Sequence, residues 1–293
     1  MSVHDAIVLR EKILMHAARI RPCDAAMKTD TVISLLLNKI LTIDEIMSDE
    51  ILYYEDVQDR LQEYEDKGIS YLPLRNGKEC YHLEHKKVVP IALEQIIPPY
   101  TRLFDEGLKE KFRTHEVLFV SYYGSLQGMV HFSDYNRDAA MIYCYGVLLE
   151  LERTLRRFLT KKGFTNADVV AYFQSSPKSY DDFKRRHRQK HDADDRDVLD
   201  AVDTFEPFQS FFLSEVIWFI QHLVKQKKID APLRLKEDVT AFRNIIMHAK
   251  YPIPNDGDAD EDGLIYRYED YANLMDTVAH IHDVIKNVQR LSR

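Results

Sequence analysis

Cysteine is scarce in this chain: three in 293 residues, at Cys23, Cys80 and Cys144. An odd number at wide spacing indicates neither a disulfide framework nor a zinc site, so the thiols are expected to be reduced core residues of a cytoplasmic protein. Long apolar runs are missing too. None approaches the ~18 residues of a membrane-spanning helix, and the start Met1-Ser-Val-His-Asp-Ala lacks the basic-then-apolar order of a secretion signal, so no membrane partner is expected. Positive charge is also short: the formal net charge is −8, which argues against a general nucleic-acid binder but not against a local basic groove. What is present is 45% apolar residues, enough for a full core, on a length that suits two domains.

The texture changes at about residue 134. Before it, strand signals alternate with helices; after it, nearly everything reads as long amphipathic helix. Residues 1–42 fit two helices or a helix with an edge strand. The rest of the first half carries a weak internal repeat. Ile69–Leu74, the turn Arg75-Asn76-Gly77 and Cys80–Leu83 read as strand, turn, strand after a helix at Val57–Tyr64. Val117–Ser121, the turn Tyr122–Ser125 and Leu126–Phe132 repeat this after a helix at Leu103–Phe112, and the chain then enters a helix at Ser133-Asp134.

This repeat resembles a tandem pair of CBS domains, with Ile43–Met47 similar to the usual lead-in. The resemblance implies a regulatory module that binds an adenine nucleotide between its repeats and controls an attached domain. In the family pattern Gly-x-x-Thr-x-x-Asp the carboxylate holds ribose hydroxyls. Gly128, His131 and Asp134 stand at those places, so the Asp is kept and the Thr is replaced. The first copy has no matching Gly or Asp after Glu84. One nucleotide site through Asp134, or a purely structural pair, follows from that pattern.

The second half reads helix by helix. Asp138–Leu159 has an apolar face through Met141, Cys144, Leu148, Leu151, Leu155 and Leu159. Glu152 and Arg156 at its edge form an i,i+4 pair, read first as an ordinary ion pair. Phe183–His191 is the dense basic run of an acidic chain; most such runs are solvated helix faces or loops, and in a ribonuclease this one is also the natural seat for RNA phosphates, although acidic residues 192–197 follow it. Phe205–Val224, with Trp218, reads as bundle core.

The most informative stretch comes next. Leu235, Val239, Phe242, Ile246 and Ala249 recur at helical spacing as an apolar stripe. At roughly 100° per residue, Asn244 and His248 fall on the opposite side, one above the other, with Arg243 on the flank. Their face, bordered by Ala241, Ile245 and Met247, suits a second surface. Arginine can grip a phosphate bidentately and histidine can move a proton near neutral pH. Together they can cleave a phosphodiester without metal, the arginine stabilising the charge of the transition state. The plainer alternative is a helix-surface arginine and a satisfied histidine near a helix end, where a cation is welcome.

Arg243-Asn244 followed by His248 resembles the R-x4-H motif of HEPN domains, over residues 135–293. The resemblance implies a bundle of four or five helices that dimerises with two motifs facing each other. It also implies endoribonuclease chemistry with the ribose 2′-hydroxyl as nucleophile, or a scaffold that has lost it. A Glu-x-x-x-Arg element on an early helix of such domains would place Glu152 near Arg243 and His248.

Asp258–Glu269 also fits a twelve-residue calcium loop, with Gly263 sixth and Glu269 twelfth. Tyr251-Pro-Ile-Pro ahead of it cannot form the entering helix.

The expected protein is therefore α+β with two domains: 1–134, an α/β CBS-like regulatory domain, and 135–293, an all-α HEPN-like effector. The preferred activity is a ligand-regulated, metal-independent endoribonuclease, a cytoplasmic homodimer acting on single-stranded RNA. Arg243 would stabilise the scissile phosphate, His248 would transfer protons or position the phosphate, and Asn244 would orient the pair. No cofactor or metal is needed for catalysis. An adenine nucleotide at Asp134 would regulate, and calcium could occupy the Asp-rich loop. The rival is an inactive nucleotide sensor or dimer scaffold using the same surface.

Overall fold

A computed structural model describes residues 41–191, 207–229, 239, 242 and 265–292. The chain is mixed α/β, with two small sheets and a long C-terminal helix. It divides into two compact units. One contains the described residues through Gly146 together with 265–278; the other contains those from Val147 to Phe242 together with 279–292. No helix among the described residues is long and apolar enough to cross a membrane.

The first unit opens with short helices, α1 (Tyr54–Val57) and α2 (Leu61–Asp66), joined by a 3-10 turn. An antiparallel sheet follows in the order β1 (Tyr71–Pro73), β2 (Glu79–His82), β3 (Lys87–Pro90). The expected turn after Leu74 is present, with Gly77 at φ 64°, a conformation that favours glycine. Strand β3 is an addition to the sequence reading. Its residues are mostly exposed, so it carries no apolar alternation to announce it.

The second sheet pairs β4 (Ile96–Ile97) parallel to β5 (Val117–Tyr122), which pairs antiparallel with β6 (Ser125–His131). Tyr123 and Gly124 link the hairpin at φ 49° and 78°. Two positive φ values in a two-residue loop make the tight turn that matches strand twist. The register shifts after Val120, which faces Gly128 while Ser121 faces Leu126. Helix α3 (Glu106–Thr114) starts at Asp105, whose carboxylate accepts the Gly107 N–H at 2.8 Å. Just after Ile43–Met47, Ser48 exchanges backbone bonds of 2.8 and 3.1 Å with Met129 of β6.

Around the second sheet, Phe112, Tyr135 and Tyr271 pack edge to face, with ring centroids 4.8–6.4 Å apart. Cys80 is buried among Ile91 and Phe119 and Cys144 is also buried. Burial pushes the Cys80 thiol up to about 11, which keeps it protonated and inert at neutral pH.

Helix α4 spans Asp138–Lys161, two residues beyond the expected end. The second unit continues with α5 (Asn166–Gln174), α6 (Pro177–His191) and α7 (Leu213–Lys225), and α8 (Tyr268–Leu291) ends the chain. The helix expected over Phe205–Val224 begins later, at Leu213. Phe208 sits at φ 66° and its N–H bonds the buried Asn166 side chain at 2.7 Å, so the chain turns there instead. Trp218, expected in the core, is 42% exposed.

Candidate functional site

Arg243, Asn244 and His248 lie outside the described residues. Of the apolar stripe that frames them, Val239 and Phe242 are helical and buried, as the spacing requires. Most of the acidic loop also lies outside, as does Cys23. Its last residues are described: the Ile265 N–H and C=O bond the Asn136 side chain at 2.9 and 3.0 Å, and Glu269 lies in the first turn of α8.

Asp134 is in the first unit, on the 3-10 turn that follows β6. Its Oδ2 accepts the His131 N–H at 2.8 Å and its Oδ1 accepts Arg137 Nε at 3.1 Å. Arg137 also donates to the Met47 carbonyl at 3.0 Å. Burial pushes the Asp134 carboxyl above its ordinary value, with the His131 amide and Arg137 acting the other way.

His131 Nδ1 accepts the Ser133 N–H at 3.1 Å, which places the proton of the neutral ring on Nε2, 3.4 Å from Glu116. Burial lowers this imidazole below its usual value despite Glu116. A Cβ on Gly128 would stand 2.5 Å from the Ser48 carbonyl and 2.9 Å from Met47 Sδ. Each residue of the Gly-x-x-His-x-x-Asp element thus has a task within the chain: close strand approach, turn capping, and capping with an ion pair.

In the second unit the Glu152–Arg156 pair forms as expected, and Arg156 also donates to the Phe211 carbonyl at 3.0 Å. The basic run on α6 is only partly a surface. Arg186 donates twice to Glu215 Oε1, at 2.9 and 3.1 Å, and His187 Nε2 lies 2.9 Å from Glu215 Oε2. The Phe212 N–H bonds the same Oε2 at 3.0 Å, the Glu reaching back to the residue before the helix. Glu215 and His187 are wholly buried, and the Arg186 guanidinium lies 5.7 Å over the Trp218 ring.

Two of the basic residues expected to face RNA, Arg186 and His187, are therefore turned inward on one carboxylate. Lys184 and Arg185 pair with Asp181 and Asp182 on the preceding turn, and Arg188 is exposed. The sequence reading missed Glu215. Its local signal was its place three residues after the helix boundary at Phe212, hidden because no Ser, Thr or Asp marks that boundary.

One further cluster was also missed. His82, Glu84 and His85 surround the turn between β2 and β3, with one ligating atom from each within 4.8 Å of the others. The two imidazoles stack with centroids 4.1 Å apart, and Tyr71 meets the His82 ring edge-on at 4.6 Å.

Comparison of the chain with models of known protein families, with curated proteins and with solved structures finds no match.

Proposed function

We propose that the chain is a metal-independent endoribonuclease that works as a homodimer and is regulated through its N-terminal half. The observation that carries this reading is the Arg243-Asn244-x-x-x-His248 spacing, set against a stripe whose Val239 and Phe242 are helical and buried. Arg243 grips the scissile phosphate, His248 moves the proton of the attacking or leaving oxygen, and Asn244 orients both. Two copies brought face to face put two such sets on one RNA strand. The protein is expected to sediment as a dimer; a monomer at micromolar concentration removes the shared site.

Cleavage of single-stranded RNA in EDTA, by wild type and by His248→Ala, tests the reading. Cleavage by wild type alone supports it. Cleavage by neither points to the scaffold, and equal cleavage by both removes His248 from the chemistry.

For the regulatory half, an adenine nucleotide held by Asp134 has to compete with Arg137 and the His131 amide for the carboxylate oxygens. The scaffold or structural-pair reading draws its support from that internal engagement. Calorimetry with AMP, ADP and ATP on wild type and Asp134→Ala separates the two. Binding lost in the variant supports a ribose contact, and equal binding removes Asp134 from the site.

A further inference from the structure

The turn after β2 is built more firmly than an ordinary surface loop. Leu83 is buried, its N–H bonds the Ser70 carbonyl at 3.0 Å, and the Lys86 N–H closes on the Leu83 carbonyl at 3.2 Å. Lys86 takes φ 49°, which turns the chain back into β3, where Lys87 pairs with His82. His82 also pairs with Tyr71 across the other edge of β2. Its ring is therefore flanked by β1 on one side and by His85 on the other.

We propose that His82, Glu84 and His85 form a binding site for a divalent transition-metal ion of the zinc class. Two imidazoles and one carboxylate are a donor set typical of zinc with an open coordination position. The nitrogens favour zinc, nickel, cobalt or copper over the oxygen-seeking calcium and magnesium.

Binding requires the His85 ring to turn out of its stack on His82, because an imidazole nitrogen donates in its ring plane. The ligating atoms stand within 4.8 Å of one another. Around a tetrahedral ion with bonds of ~2.05 Å, ligand atoms sit about 3.4 Å apart. Rotation of the exposed Glu84 and His85 side chains closes that gap, while His82 stays held by Tyr71. The ion leaves room for a water or another external ligand. It lies on the hairpin and takes no part in the chemistry assigned to Arg243 and His248.

The test uses the full-length chain, stripped with EDTA and desalted, titrated with zinc sulfate by calorimetry. Cobalt is added in parallel for its visible absorption when bound by nitrogen ligands. One equivalent of zinc should bind, and magnesium should not displace it. His85→Ala and Glu84→Ala, both at exposed positions that leave the turn anchor intact, should each weaken binding at least ~100-fold, the upper end of the loss from removing an outer-shell partner. His82→Gln should remove the cobalt absorption. Absence of zinc binding by wild type, or equal binding by wild type and all three variants, overturns the proposal. RNA cleavage is measured in EDTA on other residues, so the two readings fail separately.

Discussion

His187 Nε2 and Glu215 Oε2 face each other at 2.9 Å, with both side chains completely buried. Arg186 and the Phe212 N–H also donate to that carboxylate. A buried carboxylate is tolerated only when its oxygens are met by donors, and here donors come from α6 and from the start of α7.

Removing the hub should therefore be severe. Glu215→Ala leaves Arg186 and His187 facing an empty position and is expected to lower stability by about 3–5 kcal/mol. Glu215→Gln, which keeps one acceptor, should lose less. Urea unfolding of both variants checks the order; a Glu215→Ala protein as stable as wild type would show that the network contributes nothing net.

Gly128→Ala should destabilise the first unit by roughly 1–3 kcal/mol, the usual range for overpacking. The added Cβ would meet the Ser48 carbonyl at 2.5 Å, and that oxygen belongs to a backbone already tied to Met129. Gln127→Ala, one residue away and exposed, serves as the control and should be nearly neutral. Matching urea midpoints for the two variants would contradict the close approach.

The His131 ring should make the first unit acid-sensitive. Burial lowers its folded pKa below the ordinary 6.5, so the fold favours the neutral ring. That contribution is present above about 6.5 and is lost as pH falls through the depressed value. Protonation also removes the Nδ1 acceptor of the Ser133 N–H. His131→Asn, whose side-chain oxygen can still accept that bond, should flatten the loss of stability between neutral and mildly acidic pH. An unchanged pH profile in the variant would assign the acid sensitivity elsewhere.

Products of RNA cleavage should end in a 2′,3′-cyclic phosphate, because the proposed nucleophile is the neighbouring 2′-hydroxyl. RNA with a 2′-deoxy sugar at the cut site should resist. Arg243→Ala and His248→Ala should each lower the rate by about 10²–10³, the usual loss on deleting one transition-state contact or proton carrier. Mass spectrometry of the cleaved ends decides between this and a hydrolytic route that leaves no cyclic phosphate.

Local patterns in the sequence were enough for several elements. The hairpin Val117–His131 was legible because apolar strands flank a turn that contains Gly124. Helix α4 was legible because its apolar residues recur over 24 positions, so only its last two were missed. Strand β3 left no trace, since an exposed edge needs no apolar alternation. The late start of α7 was also invisible: it depends on Phe208 taking a positive φ and bonding Asn166, 42 positions away.

What the sequence alone determined is therefore local: two hairpins, the long helix α4, the ion pair of Glu152 with Arg156, and the Arg243-Asn244…His248 spacing. Tertiary structure decided the roles of polar side chains. In the sequence, Arg186 and His187 are members of a solvated basic run; in the fold, both turn inward because Glu215, 29 and 28 positions on, supplies a buried carboxylate. His82, Glu84 and His85 likewise read as unrelated polar residues until a tight turn anchored by Leu83 brings them together. Apolar periodicity reports which face of an element is buried, because burial there is driven by area removed from water. The partner of a charge is chosen by three-dimensional proximity, which no local pattern encodes.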